Sequence, residues 1–242
     1  MCKIGSPLLS FLLCSLCTPL QKLFDEQMRV RQKKEQERKI RNYRALNRIA
    51  PKGGILFTGS SLMEYFPICE MAMSAGIKKL IYNRGIGGTT TDDFLKEIDT
   101  VLLDLQPSKV FINIGTNDMT ERVYGKGWMA HLIENYEKII RMAVEKLPET
   151  DIYMMAYYPA NLRLPWQDDR IRELIKSRTK ENIDECNRRV EALARKYGLH
   201  YIDVNDGLAD ENGDQKEEFS IDGVHMYAEA YEVVFRNIRK YI

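Results

Sequence analysis

GILFTGSSLMEYFP, residues 54–67, passes from an apolar run through a glycine and two serines into a segment with the apolar spacing of a helix. The run reads as a buried strand, the small residues as a tight turn, and the segment from Leu62 onward as the first turns of a helix. The same unit recurs along the chain. Short apolar runs at residues 55–58, 80–83, 110–114, 152–157 and 200–204 predict strands, and amphipathic segments at 62–75, 91–105, 128–147, 169–197 and 227–241 predict helices between and after them. Strand alternating with helix is the pattern of a parallel sheet covered on both faces. Five strands fit the doubly wound order 2-1-3-4-5 with right-handed crossovers, so the expected fold class is α/β with a five-stranded parallel sheet.

Upstream of this unit the composition changes twice. Residues 1–20, MCKIGSPLLSFLLCSLCTPL, are apolar with two prolines, too short a run to span a bilayer comfortably and without a clear small-residue cleavage site. A start placed too early or a packed arm is the preferred reading, which gives a cytoplasmic expectation. Secretion or membrane association through residues 1–20 is the alternative. Residues 21–50 are dense in charge and helix formers, and they predict a solvated helix held to the domain by a sparse stripe of Leu23, Met28, Val30, Ile40, Tyr43 and Leu46. That helix is also the candidate surface for a homodimer. The remaining residues, 51–242, form the α/β domain.

Composition narrows the function. Thirty-six lysines and arginines face 35 acidic residues, a net charge of +1, so no global field recruits nucleic acid or an acidic membrane. A small, uncharged substrate is the expected partner. The five cysteines, Cys2, Cys14, Cys17, Cys69 and Cys186, are odd in number, and only Cys14 and Cys17 lie close together, in an apolar run with no histidine near. Neither a disulfide framework, nor a metal site, nor a thioredoxin-type redox centre is expected from that pattern.

In open parallel sheets ligands bind beyond the carboxyl ends of the strands. Four polar clusters fall there. Gly59-Ser60-Ser61 follows the first strand and places a hydroxyl at a helix start; Asn83-Arg84-Gly85-Ile86-Gly87-Gly88-Thr89 follows the second. Gly115-Thr116-Asn117-Asp118 follows the third, and Asp222-Gly223-Val224-His225 precedes the last helix. Each has an ordinary reading by itself: a helix cap, a glycine turn, a polar turn, another cap. The glycine cluster completes neither a dinucleotide fingerprint nor a P-loop. Taken together, the four supply a nucleophile, a backbone and a side-chain donor for an oxyanion, and an aspartate that fixes the tautomer of a histidine base. His131 and His200 fall within a predicted helix and at the start of a predicted strand, away from that edge.

The blocks FTGSSLMEYFP, NRGIGGTTTDDF, INIGTNDM and IDGVHMYAEAY, in this order, resemble the four sequence blocks of the SGNH or GDSL-like hydrolases. The resemblance covers about residues 54–234. It implies a flavodoxin-like three-layer α/β/α domain, a catalytic triad of Ser61, Asp222 and His225, and an oxyanion hole made of the Ser61 and Gly88 backbone N–H groups with the Asn117 side chain. Asp118 is expected to hold its loop, and no metal or cofactor is implied. One position departs from the family: Ser60 stands where the family has aspartate in Gly-Asp-Ser, so a supporting carboxylate is replaced by a hydroxyl. The expected activity is a serine esterase acting through an acyl-enzyme on Ser61. The alternatives on the same triad are thioester cleavage, lysophospholipid hydrolysis and carbohydrate deacetylation, and outside catalysis a silent relative that binds a ligand or partner.

Overall fold

The computed structural model describes residues 7–242, with side chains from residue 23 onward except at residue 25. The expectation for residues 1–20 as a signal or anchor therefore rests on side chains outside the described residues.

Helix α1, Pro7–Ile49, is followed by strand β1, Ile55–Gly59, and by two short helices, α2 (Ser61–Glu64) and α3 (Ile68–Ser74). Strand β2 (Ile81–Asn83), helix α4 (Thr91–Lys96) and strand β3 (Lys109–Asn113) come next, then α5 (Glu121–Tyr124) and the long α6 (Trp128–Lys146). Strand β4 (Asp151–Met155), helices α7 (Asp169–Ile175) and α8 (Lys180–Tyr197), strand β5 (His200–Ile202) and helix α9 (Ala228–Ile238) complete the chain. The five strands run parallel in the order β2-β1-β3-β4-β5.

The inner strands β1, β3 and β4 are buried at nearly every position because both faces of the sheet are covered there, whereas the edge strands β2 and β5 are only partly buried. Alternate side chains serve opposite faces. Leu56, Val110, Ile112, Ile152 and Met154 join the core beneath α4, α6 and α8, together with Ile40 of α1. Ile55, Phe57, Phe111, Tyr153 and Met155 join the other core, beneath α2, α3 and α9. Register aligns Phe57, Phe111 and Tyr153 across three strands, and their rings stack at 4.6 and 4.9 Å.

Three of the predicted helices are broken. The segment at 62–75 divides at Pro67, which has no N–H to continue the ladder and serves instead as the cap of α3. The segment at 91–105 leaves the α-helical path after Lys96 and ends in a wider π-type turn over Asp99–Leu103. The segment at 169–197 splits into α7 and α8, because the Thr179 hydroxyl accepts from the Asn182 N–H and opens a new helix.

Helix α1 docks by a different means than expected. Ile40 is buried, but Leu23, Met28, Val30 and Leu46 are all about half exposed. Polar side chains make the attachment instead. Asn47 donates to the Thr100 carbonyl at 2.8 Å and accepts from Arg84 at 3.0 Å, Tyr43 donates to the Gly85 carbonyl at 3.1 Å, and Gln36 to that of Gly87 at 2.9 Å. Lys39 pairs with Glu64.

Gly59, at the end of β1, has φ +151°, and a Cβ there would overlap the Asn113 carbonyl oxygen of the neighbouring strand. Gly59→Ala should therefore lower stability by about 3 kcal/mol or more, whereas Gly127→Ala, at a position with open space around it, should change it by less than about 0.5 kcal/mol. Chemical denaturation of both variants measures the difference, and equal effects would refute the close approach of β1 to β3.

Candidate active site

The order β2-β1-β3 brings the loops after β1, β2 and β3 together at one edge of the sheet, since β1 lies between the other two. Ser61 is the first residue of α2 and is nearly buried. A residue at this position has no partner for its N–H within its own helix.

The loop before α9 is closed on itself. Ile221 donates to the His225 carbonyl at 2.8 Å, Gly223 takes φ +97° and donates to the Ser220 hydroxyl at 2.9 Å, and one Asp222 oxygen accepts from the N–H groups of Val224 (3.0 Å) and His225 (2.9 Å). The other Asp222 oxygen lies 2.7 Å from His225 Nδ1. His225 Nε2 lies 2.8 Å from Ser61 Oγ. With Nδ1–H donating to Asp222, Nε2 is left to accept the Ser61 hydroxyl proton. Burial alone would raise the Asp222 carboxyl, but the hydrogen bond and charge of His225 and the two backbone donors prevail and hold it at about 2. Asp222 is thus a carboxylate throughout the neutral range.

The loops after β2 and β3 flank Ser61. A Cβ on Gly87 would lie 3.7 Å from that of Ser61, and Gly88 has φ +72°. Among the described residues, the N–H groups of Ser61 and Gly88 have no hydrogen-bond partner. Gly87 instead donates to Glu64 at 2.5 Å, and Glu64 is the carboxylate paired with Lys39 of α1. The Asn117 amide donates to the Thr89 carbonyl at 3.0 Å, leaving one of its two N–H bonds free, while its carbonyl faces Arg178 at 3.5 Å. Asp118 is fully buried and accepts from the Thr91 N–H at 3.0 and 3.1 Å and from the Thr91 hydroxyl. Ser60 is buried as well, and its hydroxyl makes no hydrogen bond among the described residues. It supplies none of the bonds a carboxylate at this position would make.

Ser61, Gly88, Asn117, Asp222 and His225 are therefore gathered at one edge. His131 sits away from Ser61, where its Nε2 lies 2.9 Å from Asp92. Among the described residues no group of histidine, cysteine, aspartate or glutamate side chains could hold a metal ion. Two contributors had no signal in the sequence: Glu64, which looks like an ordinary exposed helix residue, and Arg178, which falls where a continuous helix was expected.

The chain matches the model of the GDSL-like Lipase/Acylhydrolase family over residues 71–233, and it belongs to that family. The matched span begins beyond Ser61. Among solved structures it is similar to a protein from Streptococcus pneumonia assigned as a platelet activating factor, with 30% identity, a TM-score of 0.80, and coverage of 91% of this chain and 98% of that one. A GDSL-like lipase from Bacteroides thetaiotaomicron is 22% identical with a TM-score of 0.67, covering 84% of this chain and 96% of that one. A catalytic mutant of Axe2, an acetylxylan esterase from Geobacillus stearothermophilus, is 14% identical with a TM-score of 0.59, covering 79% and 95%. No curated protein matches the chain in sequence.

Burial pushes the Asp118 carboxyl up to about 6, against the opposing hydrogen bonds from Thr91. Its folded value lies above the ordinary value near 4, so the native state holds a proton that the unfolded chain has lost. The stability contributed by the neutral form is present below about pH 4 and is lost as pH rises through about 6. Asp118→Asn cannot titrate. Its stability relative to the parent should therefore rise by up to about 3 kcal/mol between pH 4 and 7. Thermal melts across that range test this, and a constant difference would place the Asp118 titration in the ordinary carboxylate range.

Proposed function

We propose that the protein is a serine esterase that cleaves a carboxylic ester through an acyl-enzyme on Ser61. The observation that carries this reading is the continuous chain from Asp222 through His225 to Ser61, with links of 2.7 and 2.8 Å, lying beside two unpartnered backbone N–H groups. Membership of an acylhydrolase family supports the reaction class.

In the first half of the reaction His225 Nε2 takes the hydroxyl proton as Ser61 Oγ bonds to the ester carbonyl carbon. The carbonyl π electrons move onto oxygen, and the resulting oxyanion is held by the N–H groups of Ser61 and Gly88 and by the free N–H of Asn117. Collapse of the intermediate expels the alcohol oxygen, which receives the proton from His225, and leaves Ser61 acylated. Water then takes the same path: it gives a proton to His225 and attacks the acyl carbon, and Ser61 departs reprotonated. Asp222 stays ionised throughout, offsetting the imidazolium charge that forms twice per turnover. Each role falls on residues of the chain itself.

Ser61→Ala should abolish turnover of p-nitrophenyl esters and labelling by a fluorophosphonate while leaving the melting temperature near that of the parent. Retained turnover would exclude Ser61 as the nucleophile. Asn117→Ala should lower kcat by about a hundredfold or more with a smaller effect on KM, as expected for a donor that strengthens its bond in the transition state. A loss below about threefold would remove Asn117 from the oxyanion hole.

A further inference from the structure

A small cavity of about 10 Å³ lies among the segments that carry the candidate catalytic residues. Three of the residues that line it, Leu62, Thr116 and Val224, are the immediate chain neighbours of Ser61, Asn117 and His225. The segments that carry Ser61, Asn117 and His225 therefore also build part of the cavity wall, and Arg178, which lines it, reaches the Asn117 side-chain carbonyl at 3.5 Å. Its walls are largely apolar, yet three polar side chains also line it: Thr116, Tyr158 and Arg178.

In each of these three, a buried polar atom has no hydrogen-bond partner among the described residues: Thr116 Oγ, Tyr158 Oη and Arg178 Nε. Thr116 is 8% exposed and Tyr158 4%. A buried polar group without a partner is costly, more so when it is charged, so three around one small cavity point to an occupant that satisfies them. Arg178 Nε and the two hydroxyls can all donate, and the guanidinium cannot accept. The occupant must therefore present an acceptor oxygen. The volume admits a single group of about the size of a water molecule.

Resting on the esterase reading above, we propose that Arg178, Thr116 and Tyr158 form a specificity pocket for a short acyl group that carries an oxygen on the carbon next to the ester carbonyl. Hydroxyacetyl is the simplest such group. The acyl carbon sits on Ser61, the apolar walls take its methylene, and the terminal oxygen enters the cavity to accept from Arg178 Nε. A long alkyl chain finds neither the volume nor a means of satisfying the three donors.

The test compares p-nitrophenyl esters of hydroxyacetic and propionic acid, whose acyl groups have the same shape and differ in OH against CH₃, with the acetate as reference. Full-length parent, Arg178→Met and Tyr158→Phe are assayed in parallel, and dividing parent by variant cancels the intrinsic reactivity of each ester. Arg178→Met should reduce the preference for hydroxyacetyl over propionyl in kcat/KM by about tenfold, the scale of one hydrogen bond to a charged group. Tyr158→Phe deletes one hydroxyl with little risk to folding, and it should reduce the preference by about threefold. An unchanged preference in both variants, with turnover still dependent on Ser61, would mean that the cavity holds only a buried water and would overturn the proposal. So would an equal loss on all three esters, which would show that Arg178 acts through Asn117 rather than on the acyl group. Absence of Ser61-dependent turnover on every ester would instead remove the esterase reading itself, and the pocket with it.

Discussion

The carboxylate of Asp118, buried beneath the edge of the sheet, accepts both the backbone and the hydroxyl of Thr91 and so ties the loop after β3 to the start of α4. One residue earlier Asn117 holds the Thr89 carbonyl, so two successive side chains of one loop clamp the other. Neither loop is regular, and each would be free to open if left to its own turn propensity. Cross-linked, they form one rigid wall beside Ser61. In the proposed mechanism that rigidity lets backbone N–H groups act as fixed dipoles instead of reorganising as charge develops. The cost is a carboxyl held in a site that disfavours its charge, and the Thr91 bonds offset part of it.

Much of this arrangement was legible in the sequence. The strands were readable because both faces of a parallel sheet are buried and the runs are apolar without interruption, as in Ile55-Leu56-Phe57 and Val110-Phe111-Ile112. The order 2-1-3-4-5 came from the alternation of elements and the handedness of crossovers. Ser61, Asn117, Asp222 and His225 could be singled out as candidates because each follows a strand or precedes a helix at the one edge where ligands bind in open parallel sheets, and the fold brings Ser61, His225 and Asp222 into hydrogen-bonding contact there. Gly88 was singled out through the resemblance of its block to the family's, and its φ of +72° gives a reason for glycine at that position.

What escaped the sequence depends on partners far away in the chain. Glu64 gives no sign that Gly87 and Lys39 will meet it from opposite sides. Arg178 sits in a segment whose amphipathic spacing continues through 169–197, and only the cap at Thr179 turns that segment aside to bring the guanidinium to Asn117. Helix α1 misled for a related reason. Its apolar residues suggested a stripe, yet attachment rests on Asn47, Tyr43, Gln36 and Lys39, whose hydrogen-bonding partners are mostly backbone carbonyls with no side-chain signature. Ser60 is a different case: its identity was plain, and only the fold showed that its hydroxyl stands alone.

The attachment of α1 makes the amino-terminal helix a lever. A helix transmits load along its length, and this one is fastened at Gly85 and Gly87 and, through Lys39, at Glu64, all within a few residues of Ser61 or of Gly88. A load on its amino-terminal half meets first the Lys33–Asp93 pair at the start of α4 and then the bonds of Gln36, Lys39 and Tyr43. Through Gln36 and Tyr43 the helix is bonded to carbonyls of the loop that bears Gly88, and through Lys39 to the carboxylate that holds the Gly87 N–H, so a displacement of α1 is carried directly to that loop.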